Sequence, residues 1–325
     1  MTEGTSNSQH EASAETAQSR PLRHCFAYPA LGTGIDCRFF RLGGTGLGNL
    51  LFTWARSLVQ ARRYGLQRIH PTWPQLCRRP WLHNEPDKRT YHGLFRPSSD
   101  ELTGIARLTR LTTGRFVPES SLGSPIPDGS IVVFRGMEGF LEPVLAEHEL
   151  VRTEILSIVT EKHTRALREG FSPDIAIHVR LGDFQQGNSA EGNHRIGLDW
   201  YIRVLQNLRA SLGSVQAVIF SDGTDEELAQ LLAVDGVRRA TFGSSIADIL
   251  ALSQARVLVT SGSTFSMWSA FLGQHPAVWF PGRLPHPIFA DFRKEISTLG
   301  EIPEAFLAEC EASLSHVASG AAELK

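Results

Sequence analysis

From residue 175 onward, short apolar runs alternate with amphipathic stretches, and no other feature constrains the fold as much. Residues 175–179 read as a strand, 199–212 as a helix with Asp199 as its N-cap, and 215–220 as a strand. Thr224-x-x-Glu227 is a capping box for the next helix. A strand at 240–242, a helix at 246–254, a strand at 257–260, a helix at 264–272 and a strand at 277–280 follow. Such alternation predicts an α/β, doubly wound parallel sheet, because parallel neighbours need a crossover and the crossover is helical. The first half shows a strand at 37–42, a glycine loop, a helix at 49–64, a strand at 130–134 and a helix over 143–168. Between them, 71–128 carries many Pro, Trp and Arg residues without a clear period and reads as loops with short helices.

Domain boundaries follow from composition. Residues 1–34 are rich in Ser, Thr, Glu, Gln and Ala and read as a disordered tail. Residues 35–170 form a first domain, 171–310 a second and 311–325 a C-terminal tail, with the Gly and Pro of 169–173 at the junction. At 325 residues the chain can hold two ordinary domains. A net charge of −2 does not suggest a nucleic-acid binder. Arg62, Arg63, Arg78 and Arg79 make the first half locally basic, either as a solvated surface or as a face toward an anionic substrate or lipid. Cys25, Cys37, Cys77 and Cys310 form no CxxC pair and have no zinc spacing, the pattern of reduced thiols in a cytosolic protein. No Asn-x-Ser/Thr acceptor, signal peptide or membrane-length apolar run is present. The expected location is cytoplasmic, with peripheral contact at the inner membrane face left open.

Four segments carry chemistry. The strand Ile175–Val179 runs into His178, Arg180, Gly182 and Asp183, and polar groups at the carboxyl end of a buried strand mark a ligand site in open α/β sheets. His178 and Arg180 share one face, since side chains alternate along a strand. A structural Arg–Asp pair is the alternative. Leu42-Gly43-Gly44-Thr45-Gly46-Leu47-Gly48-Asn49 places glycines between a strand and a helix. It lacks the third glycine of the dinucleotide fingerprint and the lysine of a P-loop. Val218–Gly223 ends in Ser221 and Asp222, suited to a base edge, a sugar hydroxyl or a turn. Val259–Trp268 again turns at a glycine, with Ser263 or Thr264 capping a helix whose free N–H groups suit a diphosphate.

Taken in order, these segments resemble the α-1,2-fucosyltransferase family (glycosyltransferase family 11). His178-Val179-Arg180-Leu181-Gly182-Asp183 is similar to its His-x-Arg-Arg-Gly-Asp, and Gly46-Leu47-Gly48-Asn49-Leu50-Leu51-Phe52 to its Gly-x-Gly-Asn-Gln-Met-Phe. Phe220-Ser221-Asp222 resembles Phe-Ser-Asp-Asp, and Ser263-Thr264-Phe265-Ser266-Met267-Trp268 resembles Ser-Thr-Phe-Ser-Trp-Trp. Gly139-Phe140-Leu141-Glu142 lies where the family has Gly-Tyr-Phe-Gln, and Asp199-Trp200-Tyr201 is similar to Asp-Tyr-Tyr. Four positions depart: Leu181 for the second arginine, Gly223 for the second aspartate, Leu50 for the glutamine and Met267 for a tryptophan.

The resemblance implies two Rossmann-like domains facing a cleft, the GT-B glycosyltransferase architecture. It implies a GDP-fucose donor, inversion at the anomeric carbon, a glycan or glycolipid acceptor and no required metal. The twelve aspartates include no Asp-x-Asp pair. Arg180, His178 and Asp183 are the expected catalytic residues. Gly46, Gly48, Asn49, Glu142, Ser221, Asp222, Ser263, Thr264 and Phe265 are the expected substrate-binding ones. Arg180 would bind the β-phosphate, and Asp183 or Glu142 would serve as general base, unless Asp183 instead holds Arg180. The rival readings are a catalytically weak GDP-sugar-binding or scaffold protein, a transferase with another GDP-sugar, and a dehydrogenase or kinase, which the failed phosphate-loop patterns disfavour.

Overall fold

The computed structural model describes residues 24–77, 89–182 and 194–320; Arg78, Arg79 and Asp183 lie outside them. In the first half the elements are β1 (Phe26–Pro29), β2 (Ile35–Asp36), β3 (Arg41–Leu42), α1 (Leu47–Tyr64), β4 (Gln67–Ile69), β5 (Gln75–Leu76) and β6 (Glu101–Leu102). Then come α2 (Gly104–Thr113), β7 (Arg115–Pro118), β8 (Ser130–Phe134) and α3 (His148–Ile158). Five strands form a parallel sheet in the order β6-β4-β1-β8-β7. A small sheet, β2-β3-β5, lies apart from it.

The second half follows the alternation read in the sequence: β9 (Ile175–Val179), α4 (Leu198–Leu212), β10 (Ala217–Ser221), β11 (Val237–Arg239), α5 (Ser245–Leu252), β12 (Val257–Thr260), α6 (Thr264–Gly273), β13 (Ala277–Trp279), β14 (Glu295–Ser297) and α7 (Glu304–Gly320). Its six strands are all parallel, in the order β11-β10-β9-β12-β13-β14. That is the doubly wound order, reversing between β9 and β12. Two Rossmann-like halves, the GT-B arrangement, are therefore present.

Several boundaries differ from expectation. Of the strand expected over 37–42 only β3 (Arg41–Leu42) forms, and the strand expected at 240–242 is β11, at Val237–Arg239. Regular structure begins before Cys37, with β1 a central strand of the first sheet, buried along its whole length. The tail reading of 1–34 therefore fails for 24–34; a four-residue run ending in proline is too short to stand out in a polar segment. The helix expected over 143–168 breaks at Val159, whose backbone is extended, because Thr160 leaves to bond the carbonyls of Gly93 and Leu94. At the C-terminus α7 crosses residue 310 instead of giving way to a tail. Cys310 and Phe306 are buried, and Arg256 donates to the carbonyl of Leu314 at 2.7 Å. Gly197, not Asp199, caps α4, and Asp199 pairs with Arg203 one turn on.

The halves share a core. One apolar cluster runs from Leu50, Leu51 and Phe52 of α1 to Trp268 and Phe271 of α6. The rings of Phe52 and Trp268 lie 5.2 Å apart, and Phe140 meets Phe52 edge-on at 5.6 Å. Buried aromatic pairs of this kind add about 0.5–1.5 kcal/mol beyond their burial. No helix among the described residues is long and apolar enough to cross a membrane, and all four cysteines are free of disulfides.

Deleting residues 2–34 removes β1 from between its two neighbours. The truncated chain is expected to show no cooperative thermal transition by circular dichroism; an unchanged Tm would contradict this placement of β1.

Candidate functional site

Sequence pattern explains why polar groups meet where they do. β9, β10 and β12 are apolar and buried until their last residues, so the polar residues that follow emerge together at the carboxyl edge. The reversal between β9 and β12 leaves a crevice there, because the crossovers leave on opposite faces.

Arg180 and Asp222 are the charged centre. Arg180 Nη1 lies 2.7 Å from Asp222 Oδ2, and each side chain is about one quarter exposed (25% and 27%). A pair open to this degree is not core. Asp222 Oδ1 accepts the backbone N–H of Leu181 at 2.8 Å, so one carboxylate fixes both the arginine and its strand end. Gly182 permits the contact: a Cβ there would fall 2.5 Å from Asp222 Oδ2. Asp222 is thus one carboxylate that holds Arg180; Asp183, the carboxylate expected to do so, lies outside the described residues. Ser221 serves the turn itself, its hydroxyl accepting the N–H of Gly223 at 3.0 Å.

His178 sits one strand pleat deeper. Its Nδ1 lies 2.7 Å from Ser266 Oγ and 3.1 Å from Ser261 Oγ, and its ring stacks on Phe265 with centroids 5.0 Å apart. Burial, reinforced by the Arg180 charge, pushes its pKa down to about 3. The imidazole is neutral at working pH. It positions the Ser261–Ser263 turn and the start of α6 rather than exchanging protons. Ser263 caps that helix, its hydroxyl accepting from Ser266 N–H at 3.4 Å.

The glycine segment meets this turn from the other half. Thr264 Oγ1 donates to Asn49 Oδ1 at 2.8 Å, and Trp268 Nε1 donates to the carbonyl of Gly48 at 2.8 Å. A Cβ on Gly48 would lie 2.7 Å from Thr264 Oγ1 and 3.0 Å from its backbone carbon. Gly48 and Asn49 therefore join the two halves. Gly46 caps α1 with open space where a Cβ would stand. Glu142 is not brought into the cluster. It is exposed on the turn after Phe140, its N–H bonded to Gly139.

Two features escape a linear reading. Arg283, just past β13, packs over the Gly262 turn, where a Cβ on Gly262 would lie 2.2 Å from its own Cβ. Its Nη2 donates to the carbonyl of His194 at 2.8 Å. A polar residue just beyond a strand end is the same signal that marked Arg180. The second feature is a contact between two of the departing positions. Leu181 is buried, and a Cβ on Gly223 would fall 2.5 Å from Leu181 Cδ1. An arginine and an aspartate of the motif are replaced here by a leucine packed over a glycine. Among the described residues no group of three or more His, Cys, Asp or Glu side chains is placed to hold a metal ion.

Residues 133–280 match the family model described as Glycosyl transferase family 11. No curated protein matches the sequence. Among solved structures the chain is similar to the NodZ α-1,6-fucosyltransferase soaked with GDP-fucose, at 16% identity over 80% of this chain and 97% of that one, with a TM-score of 0.49. It is similar to POFUT1 in complex with GDP at 12% identity, over 79% and 96%, with a TM-score of 0.43. The E. coli heptosyltransferase WaaC with ADP matches at 13% identity, over 92% and 98%, with a TM-score of 0.40.

Two predictions follow from this geometry. Above pH 6.5 His178 is neutral in both folded and unfolded chains. Between 6.5 and about 3 only the unfolded chain takes up its proton, so stability falls as pH drops. Urea unfolding from pH 6 to 4.5 is expected to show wild type losing about 1.4 kcal/mol per pH unit more than His178→Asn. Leu181→Arg, which buries a cation in an apolar contact, is expected to cost about 3 kcal/mol or more. Adding Gly223→Asp is expected to recover at least half of that loss. Additive losses in the double-mutant cycle would show that the two positions are independent.

Proposed function

We propose that this chain, whose residues 133–280 match glycosyl transferase family 11, is an α-1,2-fucosyltransferase that moves fucose from GDP-fucose to a hydroxyl of a glycan or glycolipid, with inversion at the anomeric carbon. The match over residues 133–280 supports glycosyl transfer, and donor, linkage and stereochemistry are likewise our reading. The observation that carries the reading is the Arg180–Asp222 pair beside the α6 N-terminus, at the sheet reversal and inside the matched segment.

The chemistry asks for little else. The acceptor oxygen attacks the anomeric carbon as its bond to the diphosphate oxygen breaks, and negative charge grows on the departing GDP. Arg180 offers a planar fork to that diphosphate, held in plane by Asp222. The first N–H groups of α6 add fixed donors, and His178 holds their turn from behind. Asp222 is engaged on both oxygens and is a poor base. Of the two carboxylates expected to serve as base, Glu142 stands outside the cluster, and Asp183 remains the proposed base for the acceptor hydroxyl. With no Asp-x-Asp pair in the sequence, Arg180 and the helix N–H groups take the charge-neutralising role of a divalent ion.

GDP is expected to raise the Tm more than UDP or CMP at equal concentration, as binding to the native state does by mass action. Turnover of GDP-fucose is expected to survive EDTA. Arg180→Lys is expected to retain the wild-type Tm while kcat falls at least about tenfold, roughly 1.4 kcal/mol of transition-state stabilisation. Stronger stabilisation by UDP, or full activity of Arg180→Lys, would end this assignment.

A further inference from the structure

The first sheet has a reversal of its own. β4 and β6 extend it from one side of β1, and β8 and β7 from the other, so a second switch-point crevice opens at the carboxyl ends of β1 and β8. A cavity of about 400 Å³ occupies that position, lined by Tyr28, Gly32, Asp36, Arg38, Phe116 and Arg135.

Its charge is one-sided. Arg38 and Arg135 line it, and two further guanidiniums stand behind its wall. Arg41 is wholly buried and donates to the carbonyls of Thr72, Leu31 and Trp73, with no ion-pair partner among the described residues. Arg107 donates to the carbonyls of His70 and Arg38 and to Thr72 Oγ1. The one carboxylate in the lining, Asp36, is already used: Oδ2 accepts the Tyr28 hydroxyl, and Oδ1 accepts the Arg38 N–H at 2.8 Å. A concave site with this surplus of fixed cations concentrates anions.

The cavity also has a built shape. Arg38 holds a left-handed backbone conformation (φ 72°), uncommon for a side-chain-bearing residue. Its Nη2 bonds the carbonyl of Leu111, and its guanidinium lies 5.8 Å from the centre of the Phe116 ring. Phe116 is 44% exposed and offers an apolar ring face at the rim, of the sort on which a pyranose can lay its C–H face. The cavity adjoins the donor side through the glycine segment. A Cβ on Gly32 would meet Leu50 of α1 at 3.2 Å, and Gly48 of the same helix abuts Thr264.

We propose that this cavity binds a saccharide residue carrying an anionic group, a carboxylate or a phosphate, as part of the acceptor. Arg135 and Arg38 receive the anion, and Phe116 receives the ring. The proposal rests on the transferase reading for the word acceptor, and on the cavity alone for the ligand class.

Calorimetric titration of the full chain with methyl galactoside, methyl galacturonide, galactose 6-phosphate and inorganic phosphate, with and without GDP, tests it. One of the two anionic sugars is expected to bind at least about tenfold more tightly than the neutral glycoside. GDP should not displace it, and which of the two wins identifies the anion. In Arg135→Gln that preference is expected to vanish while GDP affinity and Tm stay at wild-type values; Arg38→Gln is expected to weaken the same sugar. Equal binding of neutral and anionic sugars, binding of inorganic phosphate as tight as either sugar, displacement by GDP, or a preference that survives both variants would overturn the proposal. An anionic sugar that binds to a chain with no GDP affinity would sustain the cavity and overturn the transferase reading. GDP binding without any sugar binding would do the reverse.

Discussion

The fold turns on one close approach. The N-terminal turn of α1 and the N-terminal turn of α6 meet where Gly48 has no side chain. Thr264 then reaches Asn49, and Trp268 reaches the Gly48 carbonyl, so a buried indole N–H and a helix-start carbonyl are satisfied by each other. Unpaired, each would cost on the order of 1–3 kcal/mol. The aromatic packing of Phe52, Trp268 and Phe271 lies directly behind. Every residue of the Arg180 cluster is held on elements that depend on this junction. The α6 start locates Ser263 and Ser266, these locate His178, and the strand bearing His178 ends in Arg180.

Electrostatics sort the same residues by depth. His178, fully enclosed, stays neutral and acts by geometry. Arg180 and Asp222, one pleat further out, are about one quarter exposed and paired with each other at 2.7 Å. In water such a pair contributes little to stability. Its value lies in orientation: Asp222 fixes the plane of the guanidinium at the strand end.

How much of this was legible in the chain depends on the range of the interaction. Strands β8, β9 and β12 were readable to the residue, since apolar runs and turn signals are local. So was the reciprocal capping of Thr224 and Glu227, seen at 3.0 and 3.2 Å. The places of Arg180, Ser263 and Thr264 at a strand end and a helix start were readable from the pattern alone. Strand β1 was not, because its evidence is pairing with residues 67 and 131, far along the chain. The pairing of Asp222 with Arg180 was not legible either, since 222 and 180 become adjacent only through the register of β10 on β9. Gly48 read either as a ligand glycine or as a packing glycine, and the structure shows it packed against Thr264. Both uses exploit a missing Cβ, and sequence alone does not separate them. Asp183, expected to be catalytic, lies outside the described residues, and Glu142 stands away from the cluster.

The contact between Leu181 and Gly223 also couples the two positions. A Cβ on Gly223 would stand 2.5 Å from Leu181 Cδ1 and 3.3 Å from Leu181 Cβ, so a side chain at 223 requires the leucine to turn to another rotamer. What position 223 can carry therefore depends on where the leucine can go, and the shape of this half of the crevice belongs to the two residues jointly rather than to either alone.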